Sequence, residues 1–191
     1  MKKQAESLME TVKNLIVNSI KGGGSVFNAV VDAVSGAATN VIHDTGKMGV
    51  SLIEALSDVM ESAIEGVEEA GGDLGEAAKG VVLGILRAGK EAGAGTVDVL
   101  GSIAGMFIKK TAHTAGDLGT AAKGLVAGAI EGAKELGLSV EDAASKTATG
   151  AVKAAYEISA AAGDKVLDAV TGTLSGVKVI LKEPFKTGKK K

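Results

Sequence analysis

An 11-residue period runs through this chain and limits what it can fold into more than any other feature. Counted in steps of eleven from Met9, 13 of 17 positions are large and apolar, whereas the next position is polar at all 17 and charged at 14. Eleven residues close in three turns of about 3.67 residues, near the α-helical 3.6. Because strands alternate by two, an odd period cannot keep one strand face apolar. The period therefore predicts an all-α protein.

Two nearly identical stretches repeat this pattern over a longer distance. GDLGEAAKGVV begins at Gly72 and GDLGTAAKGLV begins at Gly116, and nine of their eleven residues are the same. The copies lie 44 residues apart, which is four periods.

On a helical wheel of this period, the apolar positions form one continuous arc opposite the acidic positions. The arc covers five of eleven positions, which is wider than the seam of a two-stranded coiled coil. We expect its central series to face a lipid surface or a protein partner. This series comprises Met9, Ile20, Val31, Ile42, Ile53, Ile64, Leu86, Val97, Ile108, Ile130, Val152 and Leu174.

Lysines recur at one border of this arc. A lysine in that position lays its aliphatic stem on apolar surface and holds its ammonium group toward water or lipid phosphates. We therefore predict that five of them face lipid headgroups, namely Lys79, Lys90, Lys123, Lys134 and Lys178.

The chain contains 28 glycines, and each glycine inside a helix costs about 1 kcal/mol relative to alanine. Such helices need a surface or close neighbours to stabilise them. Several glycines recur at spacings of four, which lets helix backbones approach closely. This predicts helix–helix packing at Gly84, Gly128, Gly132, Gly172 and Gly176, with drift in an Ala/Gly-rich sequence as the alternative.

Four stretches have the composition of helix ends followed by capping residues: KGGGS at 21–25, AGGD at 70–73, TAGD at 114–117 and AAGD at 161–164. The 11-residue phase crosses all four without insertion or deletion. Since loops of a folded bundle are free to vary in length, the unbroken phase favours collinear helices of about 45 residues on one continuous surface. The breaks are then bends rather than tight turns.

The predicted organisation is a set of long amphipathic helices, extended or bent at Gly-Asp breaks and packed side by side in an assembly. Three regions follow from it: an N-terminal amphipathic segment at 1–24, a continuous repeat region at 25–182, and a basic tail at 183–191. Bends within the repeat region are expected near 71–73, 115–117 and 162–164.

Catalytic, cofactor and metal sites are not predicted. GILRAGKE at 84–91 resembles a phosphate-binding loop, but Glu91 stands where Ser or Thr is needed. His43 and His113 lie 70 residues apart, and cysteine is absent. The formal charge of −2 gives no strong field for specific nucleic-acid binding. No signal peptide or transmembrane segment is evident, so we expect a cytoplasmic protein, peripheral at a membrane or granule surface.

KTATGAVKAAYE at 146–157 and AAAGDKVLDAVTGTLSGVKVI at 160–180 resemble the 11-residue amphipathic repeats of synucleins, perilipins and exchangeable apolipoproteins. The resemblance is one of pattern, and it implies adsorption of long helices onto phospholipid or droplet surfaces. Seed-type desiccation proteins are similar in period but more hydrophilic, whereas this chain has a mean hydropathy of +0.26. Bacterial storage-granule coat proteins are similar by composition only.

Two classes of function follow. The first is a non-enzymatic coat or scaffold protein that adsorbs on a membrane, lipid droplet or storage granule and associates with itself as a homo-oligomer. The second is a self-assembling structural protein, a filament or helical bundle that needs no lipid, or a helical protein of the desiccation-protectant type.

Overall fold

The computed structural model describes residues 2–48, 52–93 and 97–182, and nearly all of them are helical. Within these residues the chain forms eight α-helices and a short β-hairpin, and the all-α fold class is confirmed. The helices are α1 (Lys2–Lys21), α2 (Val26–Met48), α3 (Leu52–Glu69), α4 (Leu74–Glu91), α5 (Leu100–His113), α6 (Leu118–Leu136), α7 (Val140–Ile158) and α8 (Ala160–Val170). A 3-10 turn at Val97–Val99 precedes α5, and the strands are β1 (Gly172–Leu174) and β2 (Val177–Val179).

The helices pack in two layers. The odd layer contains α1, α3, α5 and α7, and the even layer contains α2, α4, α6 and α8, with consecutive helices in contact across the layers. Helices within a layer run parallel. Asp98, just before α5, pairs with Lys146 in the first half of α7, and Lys109 near the end of α5 pairs with Glu157 near the end of α7. The chain therefore folds as a stack of helical hairpins.

The duplicated GDLG stretches serve as the turns that lead from the odd layer into the even layer. Asp73 and Asp117 cap α4 and α6, since their carboxylates accept hydrogen bonds from the backbone N–H of Glu76 at 2.8 Å and of Thr120 at 2.6 Å. These bonds satisfy amides that have no partner within the helix. The repeated sequence thus produces a repeated turn.

The predicted collinear helices of about 45 residues are wrong. Among the described helices the longest, α2, has 23 residues, and consecutive helices pack against each other. Two helices and two turns together make the 44-residue unit between Gly72 and Gly116, but the connections vary, with four residues between α5 and α6, three between α6 and α7 and one between α7 and α8.

Successive helices of the even layer are staggered. Arg87 of α4 pairs with Glu135 of α6, which lies 48 residues later in the chain, whereas the motifs that start these helices are 44 residues apart. The difference of four residues is about one helical turn, or about 6 Å.

The fourth predicted break, at 161–164, is wrong because α8 runs through it. Ser159 ends α7 and caps α8, its hydroxyl accepting a hydrogen bond from the backbone N–H of Ala162 at 3.1 Å. Gly163 lies inside α8 against the ring of Tyr156, where any side chain would overlap that ring.

The β-hairpin replaces the helix predicted for the end of the repeat region. Ser175 and Gly176 both have positive φ, the requirement of a two-residue type I′ turn. Helix packing at Gly172 and Gly176 is therefore wrong, because both glycines lie in the hairpin. The Ser145 hydroxyl donates to the carbonyl of Ile180, which joins the segment after β2 to α7. The predicted basic tail lies outside the described residues.

The core lies between the layers and consists mainly of small side chains. Of 47 buried apolar residues in the described ranges, 19 are Ala and 14 are Val, so the helices meet at short distances. The largest fully buried side chain is that of Phe107 in α5.

Glycines allow backbone contact between neighbouring helices of a layer. A Cβ built on Gly84 of α4 would lie 3.1 Å from the carbonyl oxygen of Val31 in α2. On α6 the approach is closer, since a Cβ on Gly124 or Gly128 would overlap a backbone carbonyl of α4. A Cβ on Gly132 would lie 2.6 Å from the side chain of Leu86, so Gly84, Gly128 and Gly132 all lie at helix crossings.

Gly36 and Gly124 occupy the same position of the 44-residue unit. Substituting each of them measures the effect of helix propensity on stability separately from the effect of packing. Gly36 lies exposed in α2 with open space around it, whereas Gly124 contacts α4. We expect Gly36→Ala to raise the free energy of unfolding by up to about 1 kcal/mol. Gly124→Ala should lower it by about 2 kcal/mol or more, because the methyl group forces α4 and α6 apart. Urea unfolding of both variants checks this, and equal shifts would show that backbone contact has no part in stability.

A second pair of variants tests a buried hydroxyl. Thr111 and Thr147 are both fully buried, but in the described structure the Thr111 hydroxyl has no hydrogen-bond partner, whereas Thr147 donates to the Ala143 carbonyl at 2.7 Å. Thr111→Val should therefore raise the free energy of unfolding by about 1 kcal/mol, and Thr147→Val should lower it by about the same amount. Denaturant titration measures both, and destabilisation by Thr111→Val would show that its hydroxyl is satisfied in solution.

Candidate functional site

The structure places the predicted lipid- or partner-facing series toward the interior of the stack. Six members are buried and no more than 2% exposed: Val31, Ile64, Leu86, Ile108, Ile130 and Val152. The other six are half-buried: Met9, Ile20, Ile42, Ile53, Val97 and Leu174. In the folded stack, neighbouring helices of the same chain cover much of the arc.

Large exposed apolar side chains are few and scattered in the described part of the chain. They are Leu15 on α1, Leu138 in the turn before α7, Ile158 at the end of α7, and Ile180 after β2. Isolated exposed apolar residues are normal on soluble proteins and do not define a binding patch.

The five predicted headgroup lysines lie on α4, α6 and β2 in different surroundings. Lys79 is 2.7 Å from Glu131 of α6, and its ammonium group lies 4.4 Å from the ring centre of Phe27. Lys134 donates to the Ser175 carbonyl at 3.3 Å and thereby contacts the hairpin. The remaining three are exposed: Lys90, Lys123 and Lys178.

Ion pairs connect each layer along its surface. The Arg87 guanidinium makes two hydrogen bonds to Glu135, at 2.7 and 2.8 Å, and the pKa of Glu135 is lowered by them. Because these pairs are partly exposed, each stabilises the fold by about 1 kcal/mol or less. The charged series of the repeat thus bridges adjacent helices.

Among the acids that form these ion pairs, Asp117 has the largest shift in pKa. A hydrogen bond from Lys165 of α8, assisted by the backbone N–H of Thr120, lowers the pKa of Asp117 to about 2. The stabilisation is fully present above its ordinary value near 3.8 and is lost as the pH falls through about 2.

A surface groove with a volume of about 500 Å³ follows the line between α5 and α7. Its floor is formed by small residues because the helices approach until a side chain on Gly150 would overlap the carbonyl oxygen of Gly101. The lining residues of α7 extend from Lys146 to Glu157, a length of about 16 Å. Met106, Ser102 and Thr149 contribute to the lining.

Four lysines and two carboxylates line this groove. Three of the lysines are paired at 2.6 Å: Lys109 with Glu157, Lys146 with Asp98, and Lys182 with Asp142, which lies beside the groove. Hydrogen bonds from Lys182 and Lys146 lower the pKa of Asp142. Lys153 is exposed and lies one helical turn from Glu157, whose pKa is lowered mainly by Lys109 and to a smaller extent by the charge of Lys153.

Within the described ranges, no three metal-ligating side chains lie together as a metal ion would require. His43 and His113 are both exposed, in different layers of the stack. Among the described helices, none has the length and apolar character that crossing a membrane requires.

Comparisons with known proteins give little further information. No protein-family profile matches the chain, and no curated protein matches it. A solved structure, that of the de novo designed helical repeat protein DHR7, is similar over 80% of this chain and 95% of that chain, with 18% identity and a TM-score of 0.45.

Sequence reasoning did not find the groove. Gly101 and Gly105 are four residues apart in the sequence, but nothing in a linear pattern pairs them with Gly150 on α7. Likewise, Lys153 belongs to the charged series, where a solvated side chain is the ordinary outcome.

The hydrogen bond between Tyr156 of α7 and Asp164 of α8, 2.7 Å long, gives a spectroscopic test of the α7–α8 contact. It is the main cause that raises the pKa of Tyr156 to about 12 from 10.0. The contribution to stability is fully present below pH 10 and is lost as the pH rises through about 12. Since the chain has one Tyr and no Trp, tyrosinate absorbance reports Tyr156 alone.

We expect Asp164→Asn to move this titration back toward pH 10, because the carboxylate that accepts the hydrogen bond from the phenol, and the charge that opposes ionisation, are removed. Asp168→Asn is the control, since Asp168 is the weakest of the causes acting on Tyr156. A wild-type protein that titrates near pH 10 would contradict the α7–α8 contact described here.

Proposed function

We propose that this protein is a non-enzymatic helical scaffold that acts as a folded stack. The observation that supports this proposal is the burial of the apolar arc against the chain's own helices, with six of its central residues no more than 2% exposed. The sequence predicted that lipid or other copies of the chain cover the apolar arc. In the proposed scaffold, neighbouring helices of the same chain cover it instead.

Surface composition supports the same function. The open flank of α2, the first helix of the even layer, exposes polar residues at Asn28, Asp32, Asn40 and His43. A polar outer face at the end of a helical stack keeps further units from adding there. The proposal is therefore a scaffold of finite length rather than an open filament.

A lipid-surface coat is the second candidate, and the composition of the core favours it. Small buried side chains gain less from burial than leucine or phenylalanine, and glycine weakens each helix on its own. Opening the hairpins would present the same apolar arc to a membrane, droplet or granule. In that case the folded stack is the lipid-free form. Each repeat would bind lipid weakly, and the affinity would come from many repeats acting together.

Circular dichroism with a reversible cross-link distinguishes the two candidates. A Cβ on Gly119 would lie 3.6 Å from the Cβ of Ala169, a suitable distance for a disulfide between α6 and α8. Since the chain has no cysteine, Gly119→Cys with Ala169→Cys gives one defined bond.

For the scaffold we expect high helicity and cooperative urea unfolding without lipid. The spectrum should not change when anionic vesicles, neutral vesicles or lipid-coated oil droplets are added. The double variant should give the same spectrum with lipid whether its disulfide is oxidised or reduced. Low helicity that rises with lipid would overturn the scaffold proposal, and lipid binding by the reduced form alone would establish the coat that works by opening.

A further inference from the structure

Among the described helices α1 packs against α2 and α3, and the flank of α1 that faces away from α3 is open. We propose that this flank binds the same flank of a second copy of the chain, so that two stacks join as a symmetric dimer with antiparallel α1 helices. The flank comprises Leu8, Thr11, Leu15 and Asn18, with Gly22 just after the helix. This pairing rests on the proposed folded scaffold and keeps its length finite, because a two-fold contact closes on itself.

A glycine contact identifies the side of α1 that receives α3. A Cβ built on Gly66 of α3 would lie 3.0 Å from the carbonyl oxygen of Lys13. Since successive residues turn by about 100°, Thr11, Leu15 and Asn18 lie on the far side of α1 from this contact. All three are exposed, and the side chain of Leu15 is 55% exposed.

The repeat indicates which kind of neighbour this flank accepts. Val59 of α3 lies 44 residues after Leu15, and two further steps of 44 reach Ile103 of α5 and Thr147 of α7. These three side chains are no more than 1% exposed, whereas that of Leu15 is 55% exposed. The position that is exposed on α1 is therefore covered by helices of this same chain in the rest of the odd layer.

Backbone contacts support this correspondence. Gly66, which touches α1, lies 44 residues after Gly22. Gly150 of α7, which touches Gly101 of α5, lies 132 residues, or three steps of 44, after Asn18. The flank at Asn18 and Gly22 thus corresponds to the surfaces with which α3 and α7 pack on the preceding helix of the odd layer.

The hairpin covers the other end of the odd layer. Lys13, which receives α3, corresponds to Ser145 of α7, 132 residues later. The Ser145 hydroxyl donates to the Ile180 carbonyl, and Val179 of β2 is only 7% exposed. Because the hairpin occupies the side of α7 on which a further odd helix would pack, it blocks head-to-tail addition of copies. A contact between two α1 flanks is still open.

The flank fits its own copy in the antiparallel orientation. None of its members is charged, so no like charges meet in the contact. With Leu15 at the two-fold axis, Leu8 of one copy lies opposite Gly22 of the other, because the two are seven residues before and after Leu15. The large side chain of Leu8 thus meets a residue that has none, as a ridge meets a groove.

Charged residues beside the flank favour the same orientation. Glu10 and Lys21 are exposed on the same side of α1, five residues before and six residues after Leu15. In the antiparallel pair, Glu10 of each copy lies level with Lys21 of the other, whereas a parallel pair sets Glu10 level with Glu10. The ion pair of Lys21 with Glu69 of its own chain is long, at 3.9 Å, and leaves Lys21 58% exposed.

The contact involves one helix from each copy and is smaller than a standard protein interface. Since interfaces below about 1,200 Å² are usually transient, we expect a reversible dimer with a Kd of about 10 to 100 µM. Sedimentation equilibrium of the whole chain between about 1 and 300 µM should show the average mass rising from 18.9 kDa toward twice that value and no further.

Variants assign the dimer to this flank. Leu15→Arg should raise the Kd at least about tenfold, because two charged side chains meet at the axis. Ile180→Arg is the matched control, since Ile180 is 62% exposed beside α7 and its substitution should leave the Kd unchanged. A monomer at every concentration, equal weakening by both substitutions, or growth beyond the dimer would overturn the pairing.

Far-UV circular dichroism of the same samples separates this proposal from the scaffold on which it rests. Full helicity without a dimer rejects the pairing alone. Low helicity without a dimer rejects the pairing and the folded stack together.

Exchange of charge tests the antiparallel register. Glu10→Lys and Lys21→Glu should each weaken the dimer, because each sets like charges level with one another at both ends of the pair. An equimolar mixture of the two variants should form the mixed dimer, in which opposite charges meet at both ends, and high salt should reduce the difference. A mixture that dimerises no better than either variant alone would contradict the antiparallel pair.

Discussion

Backbone contact at glycine is the interaction on which the rest of the structure depends. Gly124 and Gly128 of α6 lie against carbonyl groups of α4, and Gly150 of α7 lies against Gly101 in the same manner. At this distance ion pairs such as Lys79–Glu131 and Arg87–Glu135 link the two helices along the crossing, and small core residues suffice to fill the space between layers. Glycine that weakens each isolated helix is thus the residue that permits the stack.

The groove follows from the same contact. Where α5 and α7 meet through Gly101 and Gly150, the surface above them is shallow and long, and the charged series on each helix forms its rim. A larger residue at the crossing would both separate the helices and fill the floor. Helix packing and the groove therefore have one cause in this stack, the close approach of the two backbones.

Much of the local structure was accessible from the sequence, because helical period and capping chemistry act over short distances. The 11-residue period predicted helices, and Asp73 and Asp117 begin α4 and α6 as N-caps do. The period did not determine the path of the chain, since the same phase runs through helices that fold back on one another. Gly172 and Gly176 show a second limit, because glycine spacing alone does not distinguish a helix crossing from a type I′ turn. The groove required knowledge of which helices are neighbours in space.

Small-angle X-ray scattering of the lipid-free monomer tests most directly whether glycine contacts fold the chain back on itself. A compact stack of 191 residues has an expected radius of gyration of about 16 to 18 Å. Helices laid end to end over about 170 residues would form a rod about 255 Å long, with a radius of gyration of about 70 Å. A value near the first supports the folded stack, and one several times larger would contradict it.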